Sequence, residues 1–322
     1  MRLEDLQVYY RRSRGFLRRR AVVRAVDGVS LEIRRGRTLA VVGESGSGKT
    51  TLGRALAGLA EATAGTIWLD GKKLGGADRL HQKPQGRVQM IFQNAAASLN
   101  PRKTILQSLD FPLRLEGLPT RRGRESLISS WLEKVGLVPP ERFLSRYPHE
   151  LSGGQKQKVC LVRAMLPRPE LVVTDEAVSA LDVSTRAEIL SLLKKFQAEL
   201  GTAFFFITHD LSSARAIADE IAVMYCGQIV ERLGAGELYQ GARHPYTQAL
   251  LSSVLHPDPA RGRDPTLLQG DPVSAIHPPS GCRFRTRCPY AFDRCRQESP
   301  ELIEVGRGEH RVACHLVAGD SV

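Results

Sequence analysis

A glycine-rich loop is the first feature of this chain with obvious chemistry. It follows an apolar run and reads Gly43-Glu44-Ser45-Gly46-Ser47-Gly48-Lys49-Thr50. Glycines let backbone N–H groups turn towards phosphate oxygens, and a following helix N-terminus adds partial positive charge. We therefore predict a phosphate loop in which Lys49 reaches the β- and γ-phosphates of ATP and Thr50 ligates Mg²⁺. The predicted nucleotide-binding residues here are Gly43, Glu44, Ser45, Gly46, Ser47, Gly48, Lys49, Thr50 and Thr51.

An acidic pair supplies a second group with suitable chemistry. Asp175 ends an apolar run that begins at Leu171, and Glu176 follows it directly. A carboxylate at the C-terminal edge of a sheet, near the phosphate loop, suits a Mg²⁺ contact through water. The next carboxylate can act as the general base that activates the attacking water. We predict these two roles for Asp175 and Glu176 respectively.

A second predicted anion site has no lysine. The segment 151–155 precedes a helical pattern and reads Leu151-Ser152-Gly153-Gly154-Gln155. Ser152, Gly153, Gly154 and Gln155 would present N–H groups at the positive end of that helix. One domain does not need two phosphate cradles for one ATP. We therefore predict that this cradle grips the γ-phosphate of an ATP held by a partner subunit.

Alternating strand and helix patterns must position these residues. The apolar pattern predicts a helix that begins around Lys49, and another over 186–200 that crosses between parallel strands. Helical spacing without strands over about 106–166 predicts a helical insertion in an α/β core. The predicted strands are 3–10, 27–34, 38–42, 66–69, 88–92, 171–173 and 203–207, with a closing hairpin of 221–224 and 228–231 around Gly227.

Charge and hydropathy restrict the class of protein. The net charge of +12 allows a nucleic-acid partner, an anionic membrane surface or no specific partner. The segment Arg11–Arg20 carries six arginines, and we interpret it as a solvated hairpin or loop. Other basic clusters lack the interleaved aromatic residues of a single-strand binding groove. No apolar stretch has the length of a membrane-spanning helix, and no apolar region follows the first residues, so we expect folding in the cytoplasm.

Six cysteines fall into two groups. Cys160 and Cys226 lie alone in apolar surroundings and are expected to be buried structural thiols. After Leu255 a linker rich in proline, glycine and arginine leads to a tail, about 270–322, too small to bury its own core. Its four cysteines have five, six and eighteen residues between them: Cys282, Cys288, Cys295 and Cys314. Four thiolates suit a [4Fe–4S] cluster; zinc and free thiols remain open alternatives.

Taken together, these motifs resemble the ATP-binding subunit of an ABC transporter. That resemblance implies an α/β P-loop NTPase fold: a RecA-like core with an antiparallel β subdomain and an α-helical subdomain at about 95–166. It implies that Gln93 contacts Mg²⁺ and the attacking water, that residues 179–182 cross the dimer seam, and that His209 contacts the γ-phosphate. Tyr10 is our choice for stacking on adenine, with Tyr9 as the alternative.

A narrower resemblance is to the branch that imports dipeptides, oligopeptides or nickel. It is carried by Ser98-Leu99-Asn100-Pro101-Arg102, Tyr147-Pro148-His149-Glu150-Leu151, His244-Pro245-Tyr246-Thr247-Gln248 and the cysteine tail. The resemblance implies an ATP-binding domain over 1–255 and a C-terminal transporter region over 256–322 with an iron–sulfur cluster. It also implies an ATPase at the cytoplasmic face of the plasma membrane. Its partners would be two membrane-spanning permease subunits, a related second ATPase and an extracytoplasmic peptide-binding protein.

Two alternatives stay open beside the peptide importer. The same machine could carry nickel or another small solute. A soluble ATPase of this type acting on nucleic acid would account for the positive charge, but such proteins typically carry two ATPase domains or a long coiled-coil insertion. We therefore expect no nucleic-acid partner.

Overall fold

The structure is a computed structural model, and it describes residues 1–12, 21–76, 86–117, 120–179, 181–253, 273–306 and 309–319. The sequence predictions for the basic segment after Arg12, for Ala180 and for the linker at 256–272 lie outside these residues. The chain divides into two compact units. The first contains Met1–Glu32, Leu39–His81 and Thr208–Val322, and the second contains Ile33–Thr38 and Gln82–Ile207.

The secondary structure alternates strands with helices and ends in short tail elements. The strands are β1 (Arg2–Arg12), β2 (Ala21–Glu32), β3 (Thr38–Val42), β4 (Ala64–Leu69), β5 (Lys72–Gly76), β6 (Val88–Ile91), β7 (Leu171–Asp175), β8 (Ala203–Ile207), β9 (Glu220–Tyr225), β10 (Gln228–Gly234), β11 (Ile303–Glu304) and β12 (Arg311–Val312). The helices are α1 (Lys49–Leu56), α2 (Ala95–Ser98), α3 (Ile105–Leu115), α4 (Arg121–Lys134), α5 (Glu141–Leu144), α6 (Gly153–Met165), α7 (Val183–Leu200), α8 (Leu211–Ile217), α9 (Leu238–Gly241), α10 (Pro245–Ser252) and α11 (Arg294–Gln297). Short 3₁₀ turns lie at Pro148–Glu150 and Ala235–Glu237.

The first unit holds an antiparallel sheet in the order β2-β1-β4-β5. Its inner face is apolar: Leu3 pairs with Leu31 on one side and Ile67 on the other, and Leu3 is buried. Strand β3 runs parallel to β9, which forms the predicted antiparallel hairpin with β10 around Gly227. The phosphate loop follows β3, and the tail pairs with β10.

The tail attaches to the first unit by strand pairing. Val312 of β12 lies opposite Glu231 of β10, and β11 pairs with β12 in turn. Phe284 of the tail is almost completely buried. A segment too small for its own core therefore shares the core of the unit it joins.

The second unit holds the parallel strands β6, β7 and β8. Leu171 of β7 pairs with Val88 on one side and with Ala203 on the other. Helix α7 connects β7 to β8, which is the crossover that the sequence predicts. The predicted helical insertion contains α3, α4, α5 and α6, and the ring of Trp131 on α4 lies 5.1 Å from that of Phe196 on α7. Among the described residues, no helix combines the length and apolarity that crossing a bilayer requires.

Two element boundaries differ from the sequence predictions for identifiable reasons. Helix α7 begins at Val183, not at 186, because the Asp182 carboxylate caps it by accepting a hydrogen bond from the Thr185 N–H at 2.9 Å. Strand β2 begins at Ala21, not at 27, because its first half pairs with the end of β1. Ala21, Val22 and Val23 in that half are half-buried and Arg24 is exposed, so it is not one of the continuously buried apolar strands.

Candidate functional site

The phosphate loop lies between β3 and α1, as the sequence predicts. Gly43 and Gly48 have positive φ angles of 152° and 107°, which favour glycine. A Cβ at Gly43 would lie 2.2 Å from the Met224 carbonyl oxygen, and one at Gly48 would lie 2.0 Å from the Ala25 carbonyl oxygen. The two glycines therefore let the loop pack directly against the backbone of β9 and β2.

The lysine of the loop lies inside it. Lys49 is 5% exposed, and its Nζ donates hydrogen bonds to the carbonyl oxygens of Gly43 and Glu44, each at 2.7 Å. Nζ also donates to the Ser47 hydroxyl at 3.3 Å. Thr50 and Thr51 follow in the first turn of α1, and Ser45 and Gly46 form the exposed tip. The ammonium group is thus held by oxygens of the loop that is predicted to surround the phosphates.

Glu44 is held from two directions. Its backbone N–H donates to the Tyr246 hydroxyl at 2.8 Å. Its carboxylate accepts two hydrogen bonds from the Arg287 guanidinium, at 2.7 and 3.1 Å. In the sequence, Tyr246 stands out only as part of a branch motif, and Arg287 does not stand out. The available signal was the concentration of arginines between Cys282 and Cys288 in a segment otherwise poor in charge partners.

In the second unit, the structure brings Glu176 of the acidic pair together with Gln93. Asp175 ends β7 and is 6% exposed, while Glu176 is half-buried. The Gln93 Nε2 donates a hydrogen bond to Glu176 Oε2 at 2.9 Å. This contact gives the proposed general base a neighbour that can also orient a water molecule.

The backbone of Glu176 is unusual. Its φ of 48° lies in the left-handed region, which is strained for a residue other than glycine. The Glu176 N–H donates to the Ile207 carbonyl oxygen at 3.0 Å, and the Ser179 hydroxyl donates to the Glu176 carbonyl oxygen at 2.8 Å. These bonds hold the conformation, which sets where the carboxylate points. Simple alternation along a strand did not reveal this feature.

Ser152 caps the helix that the sequence identifies as a second anion site. The Ser152 hydroxyl accepts from the Gln155 N–H at 3.3 Å, and the Gln155 side chain accepts from the Ser152 N–H at 3.0 Å. Gly153 and Gly154 follow as the first residues of the thirteen-residue α6. A helix cannot satisfy its first N–H groups internally, so this end has the polarity required for an anion.

Asp182, of the predicted dimer seam, and His209, the predicted γ-phosphate contact, lie near the starts of two helices. Asp182 caps α7, and hydrogen bonds from Ser184 and then Thr185 lower the pKa of its carboxyl group. His209 is exposed and lies two residues after the end of β8, while Asp210 caps α8 by accepting from the Ser212 N–H at 2.9 Å. Each side chain is thus placed at the end of a rigid element.

The two candidate adenine-stacking residues differ in environment. Tyr10 is 45% exposed on β1. Tyr9 is half-buried, and its hydroxyl donates a short hydrogen bond to the Asp27 carboxylate. Burial, reinforced by that bond, raises the pKa of Tyr9 to about 12. Tyr9 is therefore committed to a structural contact, whereas the Tyr10 ring has an accessible face.

The six cysteines separate as the sequence predicts. Cys160 and Cys226 are buried, and burial raises the pKa of both thiols, which fits structural roles. The four tail cysteines line one cavity together with His244 and His315. Burial raises the pKa of Cys282 to about 11 and also raises the pKa of Cys288 and Cys314. Within the described ranges, no three Cys, His, Asp or Glu side chains stand close enough to hold a single metal ion.

Two known protein families match separate segments of the chain. Residues 26–179 match the family described as ABC transporter. Residues 230–295 match the family described as Oligopeptide/dipeptide transporter, C-terminal region. The first match spans the phosphate loop, Gln93, the Ser152 helix and the acidic pair.

Curated relatives align over almost the whole chain. The Di/tripeptide transport ATP-binding protein DppF of Pseudomonas aeruginosa is 45% identical, with 97% of this chain and 95% of the relative aligned. The Dipeptide transport ATP-binding protein DppF of Escherichia coli is 42% identical, with 98% and 94% aligned.

A solved structure shares the fold. The dimeric ATP-binding cassette MJ0796, in a post-hydrolysis state bound to ADP and Pi, has a TM-score of 0.63 and 27% sequence identity to this chain. The match covers 73% of this chain and 98% of the cassette.

Proposed function

This chain belongs to the family of ABC transporter ATP-binding proteins, and we propose from that premise that it powers import of dipeptides or oligopeptides. ATP hydrolysis is the reaction of the family, and the chain has the groups this reaction needs. The observation that carries the peptide assignment is the extent of the likeness, since relatives in peptide transport align from end to end, including the C-terminal region.

In the proposed reaction, the phosphate loop binds MgATP. The N–H groups of residues 43–51 surround the phosphates, Lys49 neutralises their charge, and Thr50 contributes a hydroxyl to Mg²⁺. Asp175 holds Mg²⁺ through water, and Gln93 contacts the ion and the attacking water. Glu176 accepts the proton of that water as it attacks, and the contact from Gln93 at 2.9 Å supports a shared position for the two side chains.

Two such subunits close on ATP in this proposal. The Ser152 helix of one subunit, with Gly153, Gly154 and Gln155, grips the γ-phosphate held by the Lys49 loop of the other. Residues 179–182 cross the seam between the subunits, His209 contacts the γ-phosphate, and Tyr10 stacks on adenine. The capped start of α6 supports this role, because the polarity of a helix N-terminus attracts an anion.

The proposed assembly contains four further proteins. Two membrane-spanning permease subunits would receive the force of ATP-driven closure beside Gln93. A related, non-identical ATPase would be the partner across the seam, and an extracytoplasmic binding protein would deliver the peptide. The chain would lie at the cytoplasmic face of the plasma membrane as a peripheral subunit.

Uptake by the assembled transporter tests the cargo. Cells that lack their own peptide importers, given the complete transporter, should accumulate a labelled dipeptide or oligopeptide, and Lys49→Ala should abolish uptake. Accumulation of nickel without peptide would select the alternative cargo. Purification without any membrane-spanning subunit, together with retention on nucleic acid, would favour the soluble class.

We also propose that Cys282, Cys288, Cys295 and Cys314 hold a [4Fe–4S] cluster. A cluster binds one thiolate at each of four irons, so its ligands stand further apart than the ligands of one zinc ion. The four thiols line a common cavity, which supports a cluster with four cysteine ligands. When bound, the cluster would cross-link a tail that has little core of its own.

Metal analysis tests the cluster. Protein purified without oxygen should be brown and contain four irons and four sulfides per chain, a stoichiometry set by the cluster itself. Cys288→Ser should lose the colour and the iron. Cys160→Ser is the matched control, because that thiol is buried outside the tail, and it should keep both. A colourless protein with zinc, or a brown Cys288→Ser variant, would contradict the proposal.

A further inference from the structure

We infer that the tail segment 282–288 braces the phosphate loop, and that Arg287 is a positioning residue for ATP binding through its contact with Glu44. This inference rests on the proposed binding of ATP at residues 43–51. It concerns residues that no part of the proposed reaction uses: Arg283, Phe284 and Arg287. All three are at least 90% buried, although the segment contains few apolar residues.

The first link is the ion pair between Arg287 and Glu44. The guanidinium donates through both terminal nitrogens to the two carboxylate oxygens, at 2.7 and 3.1 Å. The Arg287 side chain is 6% exposed and that of Glu44 is 29% exposed. An arginine side chain stays protonated in proteins, so the cation is permanent. A buried two-pronged pair of this kind fixes direction as well as distance.

The second link runs through aromatic side chains to the loop backbone. The Phe284 ring packs 5.4 Å from the Tyr246 ring and 5.2 Å from the Tyr225 ring. Tyr246 is fully buried, and its hydroxyl accepts the hydrogen bond from the Glu44 N–H. Phe284 therefore supports the side chain that holds the loop at its second residue.

The third link reaches the other end of the loop. Arg283 donates short hydrogen bonds to the Cys226 carbonyl oxygen and to the Asp27 carboxylate. The neighbouring Gly227 N–H donates to the Ser47 carbonyl oxygen at 2.8 Å. Arg283 thus fixes the turn that contacts the loop just before Gly48 and Lys49.

Charge explains why Arg287 matters for the nucleotide. A triphosphate in the loop would lie near the Glu44 carboxylate, and like charges repel strongly in a partly buried site. Arg287 neutralises this carboxylate and draws it towards the tail. The Glu44 carbonyl oxygen also accepts a bond from Lys49, so the position of Glu44 bears on the lysine that would meet the phosphates.

A double-mutant cycle tests the inference in the full-length chain, with the dissociation constant of MgATP as the readout. Arg287→Met should weaken binding at least tenfold, because Glu44 is left as an uncompensated charge beside the phosphates. Glu44→Gln/Arg287→Met removes both charges but keeps the backbone N–H of residue 44, and it should recover most of the affinity that Arg287→Met loses. Arg285→Met is the control, since the Arg285 guanidinium donates a hydrogen bond to the Ser280 carbonyl oxygen within the tail, at 2.9 Å; this variant should bind MgATP normally.

The outcomes separate positioning from simple support of the fold. A double variant as weak as Arg287→Met, or an Arg287→Met variant that binds like Arg285→Met, would overturn the inference. If Arg287→Met does not fold, Arg287→Lys decides: it keeps the positive charge beside Glu44 and should bind ATP within about threefold of the unchanged protein, whereas a tenfold loss would overturn the inference. Lys49→Ala separates this inference from the proposed function. Loss of binding in Lys49→Ala with normal binding in Arg287→Met removes only the brace, whereas normal binding in Lys49→Ala removes the ATP site itself.

Discussion

Replacing Glu176 by glutamine tests the proposed chemistry with little change in shape. The glutamine side chain keeps an oxygen that can accept the hydrogen bond from Gln93, now 2.9 Å long. The backbone bonds of residue 176 to Ile207 and Ser179 do not involve its side chain. We therefore expect the fold and ATP binding to persist, and only the capacity to accept a proton to be lost.

The size of the effect follows from the role assigned to the carboxylate. A positioned general base contributes about 10²–10⁴-fold to a rate. Each tenfold change corresponds to about 1.4 kcal/mol of activation free energy, so the barrier should rise by about 3–5 kcal/mol. Phosphate release by the assembled transporter at saturating MgATP should fall by that factor, with the dissociation constant of ATP changed by less than about threefold.

Glu170→Gln is the matched control for this experiment. Glu170 precedes the other end of β7 and pairs with Arg87 at 2.6 Å, away from Glu176 in the strand. The same chemical change there should leave turnover intact. Near-normal turnover in Glu176→Gln, or an equal loss in both variants, would refute the assignment of Glu176 as the base.

The other predictions concern the loop and the tail. Lys49→Ala should weaken MgATP binding at least 100-fold in equilibrium dialysis, since no other side chain of the loop carries a positive charge. Binding within about threefold of that of the unchanged protein would contradict this prediction. Gly48→Ala should lower the free energy of unfolding, measured without nucleotide, by more than Gly46→Ala does. Both glycines have positive φ angles, but only a Cβ at Gly48 would meet a backbone carbonyl oxygen, at 2.0 Å. Equal losses in denaturant titration would argue against the packing of the loop. Phe284→Ala should lower the free energy of unfolding by about 3–5 kcal/mol, because Phe284 is buried. Tyr290 is exposed, so Tyr290→Ala should lower it by less than about 1 kcal/mol. Similar values for the two variants would show that the tail is not docked.

The strands and the helix that the sequence predicted well have clear local signals. Strands β3 and β8 have every residue buried, so they read as continuous apolar runs with clear limits. Helix α1 starts at Lys49, where the glycine loop ends. The ABC transporter family match and the peptide-transport relatives confirm the family that these motifs indicated.

The contacts that the sequence did not predict are distant along the chain. Glu44 and Arg287 are separated by 243 positions, so no local period or spacing connects them. The left-handed backbone of Glu176 depends on bonds to Ile207 and Ser179, and residue type gives no sign of it. The sequence indicated that the tail was too small to bury its own core, but it did not predict that pairing of β12 with β10 and burial of Phe284 attach the tail to the first unit.

The central claim is that one ATP lies between the Lys49 loop of one subunit and the Ser152 helix of another. The most direct measurement is a structure of the assembled transporter carrying Glu176→Gln in this chain, trapped with MgATP. We predict that N–H groups at the start of α6 donate to the γ-phosphate of the ATP held in the partner's loop. An ATP-loaded structure in which the Ser152 helix lies beyond hydrogen-bonding reach of every triphosphate would contradict the account.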